Sequence, residues 1–431
     1  MIPSLAGFHS FIRSRTFSAL GVRDFRRFFM GQGVSLVGTW LQGAAVSWMV
    51  YEKTRSELTL GIVGAASLLP GLFVGLFAGF VADRVPPRPL IMLMQAAQMA
   101  LAFFLAFLIG TGIDQIWHLV CILALNRVCV TFEMPSRQVF MYELVGREHL
   151  GNAIALNSGL FNASRVLGPT LAAFIYALAG PTTCFLINGL SYIAALTAVY
   201  SIELPAAHQQ RQARGLGGIL DGVSYLFQNK RVGLLFLLMN LFGIIGMGYD
   251  SMIPAYASGV VQTGIKGYGL LLGCSGMGAT CGALLVATVG TGHRRERLLL
   301  AGMAIFAIAL GASARIPPWI GEHFSHRTSL AVAACGMLGI GLGAVLFYAA
   351  AQTIIQNVLP DSLRGRVMAI WLISYSGSVP LGSLWIGRVA DSYGIPFAMT
   401  TSSTLGLLLA LVGLAGWIAL RRKSEPARQA T

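Results

Sequence analysis

Twelve apolar stretches account for most of this chain, each close to the about 20 residues that a helix needs to cross a bilayer. They run near Phe28–Tyr51, Leu58–Ala82, Leu90–Gly110, Ile116–Phe132, Asn152–Leu178, Thr183–Ile202, Val232–Tyr256, Tyr268–Val289, Leu298–Ala314, Ser329–Gln352, Val367–Arg388 and Pro396–Leu420. Hydrocarbon offers no water to an unpaired peptide group, so a stretch that crosses it closes its own hydrogen bonds as a helix. The expected fold class is therefore all-α, a membrane protein of twelve transmembrane helices. Composition agrees, with 55% of residues hydrophobic and 11% charged, where a soluble domain carries about a quarter charged residues. Six cysteines in 431 residues exclude a disulfide-framed fold, and the shortage of charge excludes disorder.

The net charge of +14 invites a nucleic-acid reading until the charges are sorted by side. With the N-terminus taken as cytoplasmic, 22 of the 30 Lys and Arg residues fall on the inner side. Six fall outside (Lys53, Arg55, Lys266, Arg315, Arg327 and Arg388), and two, Arg127 and Arg165, lie within spans. Basic residues concentrate in cytoplasmic loops, so both termini are expected in the cytoplasm, with an even number of spans. The excess charge is then a topology signal and an attraction to anionic inner-leaflet lipid. No nucleic-acid partner is expected, and the chain reads as a multi-pass protein of the cell inner (cytoplasmic) membrane. Its first residues, MIPSLAGFHSFIRSRTF, lack the order of a signal peptide and read as a basic cytoplasmic arm.

One hydrophilic gap is long, Glu203 to Arg231, and it separates six spans from six. The expected division is an N-terminal six-helix half at 1–202, a cytoplasmic linker at 203–231 and a C-terminal six-helix half at 232–431. Within the linker, DGVSYLFQNK is expected to form a short amphipathic helix at the cytoplasmic surface. An internal repeat supports the division. Arg137–Leu156 aligns without gaps with Ala351–Ile370, matching Gln138 to Gln352 and Ala155 to Ala369, and both stretches join a fourth to a fifth span within their half. Two pseudo-symmetric six-helix bundles are a recurring transporter architecture, with substrate bound near the midplane at the repeat interface.

Where the second span ends the chain reads Gly79-Phe-Val-Ala-Asp83-Arg84-Val-Pro-Pro-Arg88. A carboxylate at a helix end with arginines beside it makes charge-assisted bonds to neighbouring helix ends, a latch for one conformation. This stretch resembles the signature of the major facilitator superfamily. Asp24–Gln42, Glu133–Val145, Asn152–Pro169 and Ser362–Ile370, taken in order, resemble the branch that includes the bacterial enterobactin exporter and macrolide efflux proteins. The resemblance implies the major facilitator fold and secondary active export driven by inward proton flow. It also implies a cytoplasmic gate at Gly79, Asp83, Arg84 and Arg88. Pro86-Pro87 stands where the family usually has a glycine.

A charge at a helix centre costs about 2.5–3.5 kcal/mol on insertion scales and normally faces protein or a watery cavity. Arg127, near the middle of span four, resembles the cavity arginine of proton-driven drug exporters, although Val128, Cys129, Val130 and Thr131 follow it in place of the usual glutamine and glycine. Arg165 continues a stripe on span five with Ser158 and Asn162 at helical spacing. Cavity-lining and interhelical roles stand open for both. The candidate proton-carrying acids are Asp250, in the outer half of span seven, and Glu133, toward the inner end of span four. Arg137 follows Glu133 by four residues, and Pro135 is expected to break the helix between them. Further polar faces are Gln32, Ser35, Thr39 and Gln42 on span one, Tyr348, Gln352 and Gln356 on span ten, and Trp371, Tyr375 and Ser378 on span eleven. From these the substrate cavity is assigned Gln42, Arg127, Asn162, Arg165, Tyr348, Gln352, Trp371 and Tyr375. Glycines four apart, at Gly75 and Gly79, Gly278 and Gly282, and Gly339 and Gly343, are expected to bring helices close.

No phosphate-loop GK[ST] is present, which argues against an ATP-driven pump. No nucleophile–base pair or metal-ligand cluster stands out, so neither an enzyme nor a cofactor or metal is expected. The expected function is a proton-coupled exporter of a small organic molecule, siderophore or drug-like and anionic or rich in hydrogen-bonding groups, acting as a monomer. An importer or lysophospholipid flippase of the same fold, or a non-transporting scaffold or sensor, is the alternative.

Overall fold

The computed structural model describes residues 17–82, 84–202, 217–290 and 294–429. Among these there are helices and no strands. Span one is Arg23–Thr54. Span two is built from two helices, Glu57–Ala66 and Leu69–Ala82, and span three is Pro87–Gly110. Next comes a helical run of 85 residues, Ile116–Tyr200, about 130 Å long at 1.5 Å per residue and thus enough for three crossings of a hydrocarbon layer about 30 Å thick. It is interrupted at Gly146 and Gly180, with φ of 65° and 77°, a left-handed conformation that a residue without Cβ adopts freely. Those two glycines separate spans four, five and six.

Span seven comprises Lys230–Ile245 and Tyr249–Ala255. Spans eight to twelve are Ile265–Val289, Arg294–His323, His326–Val358, Asp361–Tyr393 and Ile395–Gln429. The chain is an all-α, multi-pass membrane protein.

Two expectations are corrected here. Pro135 does not break span four, because the helix runs through it and brings Glu133 and Arg137 onto one face. A proline inside a spanning helix forfeits one backbone bond, a loss that packed neighbours offset. The glycine faces also divide. A methyl group added to Gly278 would meet the Leu338 carbonyl, and one added to Gly343 would meet Phe306, so spans eight, nine and ten pack backbone to backbone. Gly75 and Gly79 have nothing within 4 Å of where a Cβ would stand.

The chain divides into two compact units, residues 1–45 with 73–213 and residues 46–72 with 214–431. The described core of the first includes Phe25, Phe28, Ile91, Phe140 and Val199, with the Phe28 and Phe140 rings 5.3 Å apart. In the second, residues 46–72 pack on later helices. Trp48 lies 5.4 Å from the Tyr268 ring, a Cβ on Gly61 would meet the Ser383 carbonyl, and the Ser56 hydroxyl donates to Asp391 at 3.3 Å.

The linker residues 203–216 lie outside the described residues. Beyond them Gly217–Gln228 is a helix, as DGVSYLFQNK implied. It lies against span eleven, where Arg366 donates to Asp221 at 2.7 Å and a Cβ on Gly222 would meet Ile370. Asn229 then caps span seven by accepting from the Val232 amide.

Candidate functional site: a buried carboxylate network and an aromatic cluster

The first unit contains a connected set of buried polar side chains. Glu133 on span four is 6% exposed. Its two carboxylate oxygens accept one amide each from span three, Gln95 Nε2 to Oε1 at 2.9 Å and Gln98 Nε2 to Oε2 at 2.7 Å. Arg137, one turn on, places its guanidinium 3.8 Å from Oε1 and reaches Gln32 of span one at 3.5 Å. The chain of bonds continues outward. Tyr192 of span six donates to Gln98 Oε1 at 3.1 Å, and its hydroxyl lies 3.4 Å from Thr39 Oγ1. Asn188, one turn before Tyr192, donates to Gln42 at 2.7 Å. Spans one, three, four and six are thus tied by side chains that hydrocarbon would punish if they were left unpaired. Each pair sits at helical spacing, Gln95 with Gln98, Asn188 with Tyr192, Thr39 with Gln42, which turns both members to one face.

The other assigned residues of this unit are more dispersed. Arg127 is half-buried on span four, where its carbonyl accepts from Thr131. Arg165 stands 5.9 Å over the Trp40 ring, a cation–π distance, and Trp40 meets Phe161 edge-on at 5.5 Å. Asn162 is half-buried and donates to the Ser158 carbonyl at 2.9 Å. Of the gate residues, Asp83 lies outside the described residues. Arg84 folds back on the Phe80 ring, 3.3 Å from its centre. Arg88 donates to the Tyr200 carbonyl at 2.6 Å. That carbonyl belongs to the last turn of span six, where acceptors lack helical partners and a cation is favoured.

The second unit contains a cluster of aromatic rings. Tyr348 of span ten meets Trp371 at 6.4 Å and Tyr375 at 5.4 Å, both near edge-on, and Phe242 of span seven at 5.7 Å. Phe236 closes on Trp371 at 5.8 Å. Such edge-to-face contacts contribute about 0.5–1.5 kcal/mol beyond area burial. The Tyr348 hydroxyl is buried without a hydrogen-bond partner among the described residues. Gln352, one turn on, is exposed, as is Asp250.

Sequence reasoning singled out Glu133 and Gln42 but missed Gln95, Gln98, Asn188 and Tyr192, which join them. Two glutamines three apart in an otherwise apolar span three, and Asn188 with Tyr192 on span six, were the available signals. A second missed cluster is Glu296, which accepts from Arg231 at 3.3 Å and from the Trp417 indole at 2.8 Å, with Arg231 lying 4.7 Å over that ring.

A family model described as transmembrane secretion effector matches residues 14–429. Macrolide efflux protein A of Streptococcus pyogenes is 22% identical over 395 residues, covering 90% of this chain and 94% of that protein. The staphyloferrin A transporter of Staphylococcus aureus (strain NCTC 8325 / PS 47) is 22% identical, covering 88% and 92%. Among solved structures, the nucleoside transporter NupG superposes with a TM-score of 0.72 at 12% identity, covering 91% of this chain and 99% of that one. The POT family transporter PepTSo does so with a TM-score of 0.72 at 13% identity, covering 93% and 99%.

Proposed function

Because the chain belongs to the transmembrane secretion effector family of the major facilitator superfamily, and is a transporter rather than an enzyme, we propose that it is a proton-coupled exporter of a small organic molecule. It works by alternating access, as a monomer in the cytoplasmic membrane with both termini inside, and its six-helix halves are 1–202 and 232–431. The observation that carries the proposal is Glu133. An ionisable group in an intramembrane helix marks a functional site by default, and both oxygens of this one accept from glutamines of span three. Glu133 takes the transported proton, and Asp250, exposed on span seven, serves a second protonation step.

Substrate contacts are assigned within each unit. In the first, Gln42, Arg127, Asn162 and Arg165 offer hydrogen bonds and positive charge. In the second, Tyr348, Trp371 and Tyr375 offer aromatic faces, with Gln352 beside them. That combination suits a small, oxygen-rich molecule with apolar faces, and the efflux and staphyloferrin names of relatives at 22% identity support export of that class. Gly79, Asp83, Arg84 and Arg88 serve the cytoplasmic gate, the Arg88 bond to the end of span six being one of its described contacts.

Reconstitution in proteoliposomes tests the coupling, with a labelled macrolide and labelled staphyloferrin A as probes. An imposed pH gradient is expected to drive accumulation of at least one probe, and a protonophore to abolish it. Movement that is unchanged after the gradient is removed overturns the proton coupling. Movement of neither probe under any gradient overturns the substrate class.

A further inference from the structure

We infer that Gln95 is the group that receives the proton's hydrogen bond when Glu133 is protonated, by a half-turn of its side-chain amide, while Gln98 stays fixed. The inference rests on the reading of Glu133 as the proton-carrying acid. In the arrangement described, each carboxylate oxygen accepts from one amide, Oε1 from Gln95 and Oε2 from Gln98. A proton bound to one of these oxygens turns that acceptor into a donor, and the amide facing it must then present oxygen in place of nitrogen.

The two glutamines are not equivalent for that exchange. Gln98 is held at both ends, since its oxygen accepts from Tyr192 at 3.1 Å while its nitrogen serves Glu133. Turning it breaks the link to span six. The oxygen of Gln95 is buried and has no hydrogen-bond partner among the described residues, so turning Gln95 breaks only the bond that protonation has already removed. The proton adds to Glu133 Oε1, the new O–H donates to Gln95 Oε1, the ion pair of Arg137 with that carboxylate is given up, and the two bonds of Gln98 stay as they are. Among the described residues, the titratable and charged groups near Glu133 include Arg137 and Cys129 on its own span and Tyr192 on span six. Arg137 approaches the same Oε1 at 3.8 Å and donates to Gln32 at 3.5 Å. Gln95 supplies the compensating contact in the protonated form, which makes it a positioning residue for the coupling step.

Infrared difference spectroscopy between alkaline and acidic buffer reads this directly on the whole protein in lipid nanodiscs, without a transported compound. The wild type is expected to show the carbonyl band of a buried protonated carboxyl, and Glu133→Gln to lose it. The Gln95 amide carbonyl passes from unbonded to accepting from the new O–H, whereas that of Gln98 keeps its bond from Tyr192. The same spectra are therefore expected to carry a side-chain amide difference band that Gln95→Met, of similar volume but without an amide, removes and that Gln98→Met retains. Gel filtration verifies that each variant stays folded. Should Gln95→Met fail there, Gln95→Asn, whose amide is one methylene too short to reach Glu133, is expected to remove the amide band as well. A carboxyl band that Glu133→Gln abolishes, together with an amide band that persists without Gln95 or is lost only without Gln98, overturns this inference and leaves Glu133 as the proton carrier. A spectrum with no band sensitive to Glu133→Gln overturns both.

Discussion

The two units solve the same problem, filling the interior of a helical bundle, with opposite chemistry. In the first, Glu133, Gln95, Gln98, Tyr192, Asn188 and Gln42 form a bonded polar chain across four spans. In the second, Phe236, Phe242, Tyr348, Trp371 and Tyr375 form an edge-on aromatic cluster, and glycines on spans eight, nine and ten let backbones touch. Polar groups in a low-dielectric interior are costly unless each is matched, so a network fixes a few allowed hydrogen-bond patterns. Aromatic rings impose shape but no protonation state. On the proposed reading, the main proton site lies in the first unit and apolar recognition in the second.

The sharpest way to break that assignment is Glu133→Gln. Gradient-driven export is expected to fall about tenfold or more, equivalent to at least about 1.4 kcal/mol, while exchange of substrate across the membrane without a gradient persists. Asp250→Asn in the second unit is expected to have the smaller effect, and the reverse ranking in the same flux assay would shift the proton chemistry to span seven. Next in size are the structural costs. Trp371→Ala removes the ring shared by Phe236 and Tyr348 and is expected to cost about 3–5 kcal/mol of stability. Asn188→Leu strands Gln42 and is expected to cost about 1–3 kcal/mol. Thermal unfolding in detergent ranks the two, and of them only Trp371→Ala is expected to raise the KM for an aromatic substrate. The smallest effect belongs to Asp221→Asn, which loosens the Gly217–Gln228 helix from span eleven. Its partner pair is largely solvent-facing, and such pairs contribute about 0–1 kcal/mol, so a loss well above that range would mean the helix carries more than a tether.

Legibility in the sequence followed how local each property is. Span three was readable because Leu90–Gly110 is apolar by itself, and the linker helix because its polar and apolar residues alternate at helical spacing. Pro135 was misread because a proline's effect depends on what packs beside it, and the packed helix runs on. Gly278 and Gly79 sit in the same kind of glycine pattern, yet only Gly278 meets a neighbouring backbone, because a small residue permits contact without supplying the partner. Arg127 and Arg165 stood out as charges in apolar runs, but the ring over which Arg165 lies, Trp40, is 125 residues away in the chain.

The sequence by itself determined that this chain crosses a membrane many times as helices and that it carries a few ionisable groups where lipid would reject them. Those are properties of one segment at a time, set by the transfer of a single helix from water to hydrocarbon. Only the tertiary structure decided that Glu133 faces two glutamines 35 and 38 residues earlier, and that Asn188 reaches Gln42 across 146 residues. A polar side chain in an apolar span announces that it needs a partner, but which partner it finds depends on how whole helices pack against one another.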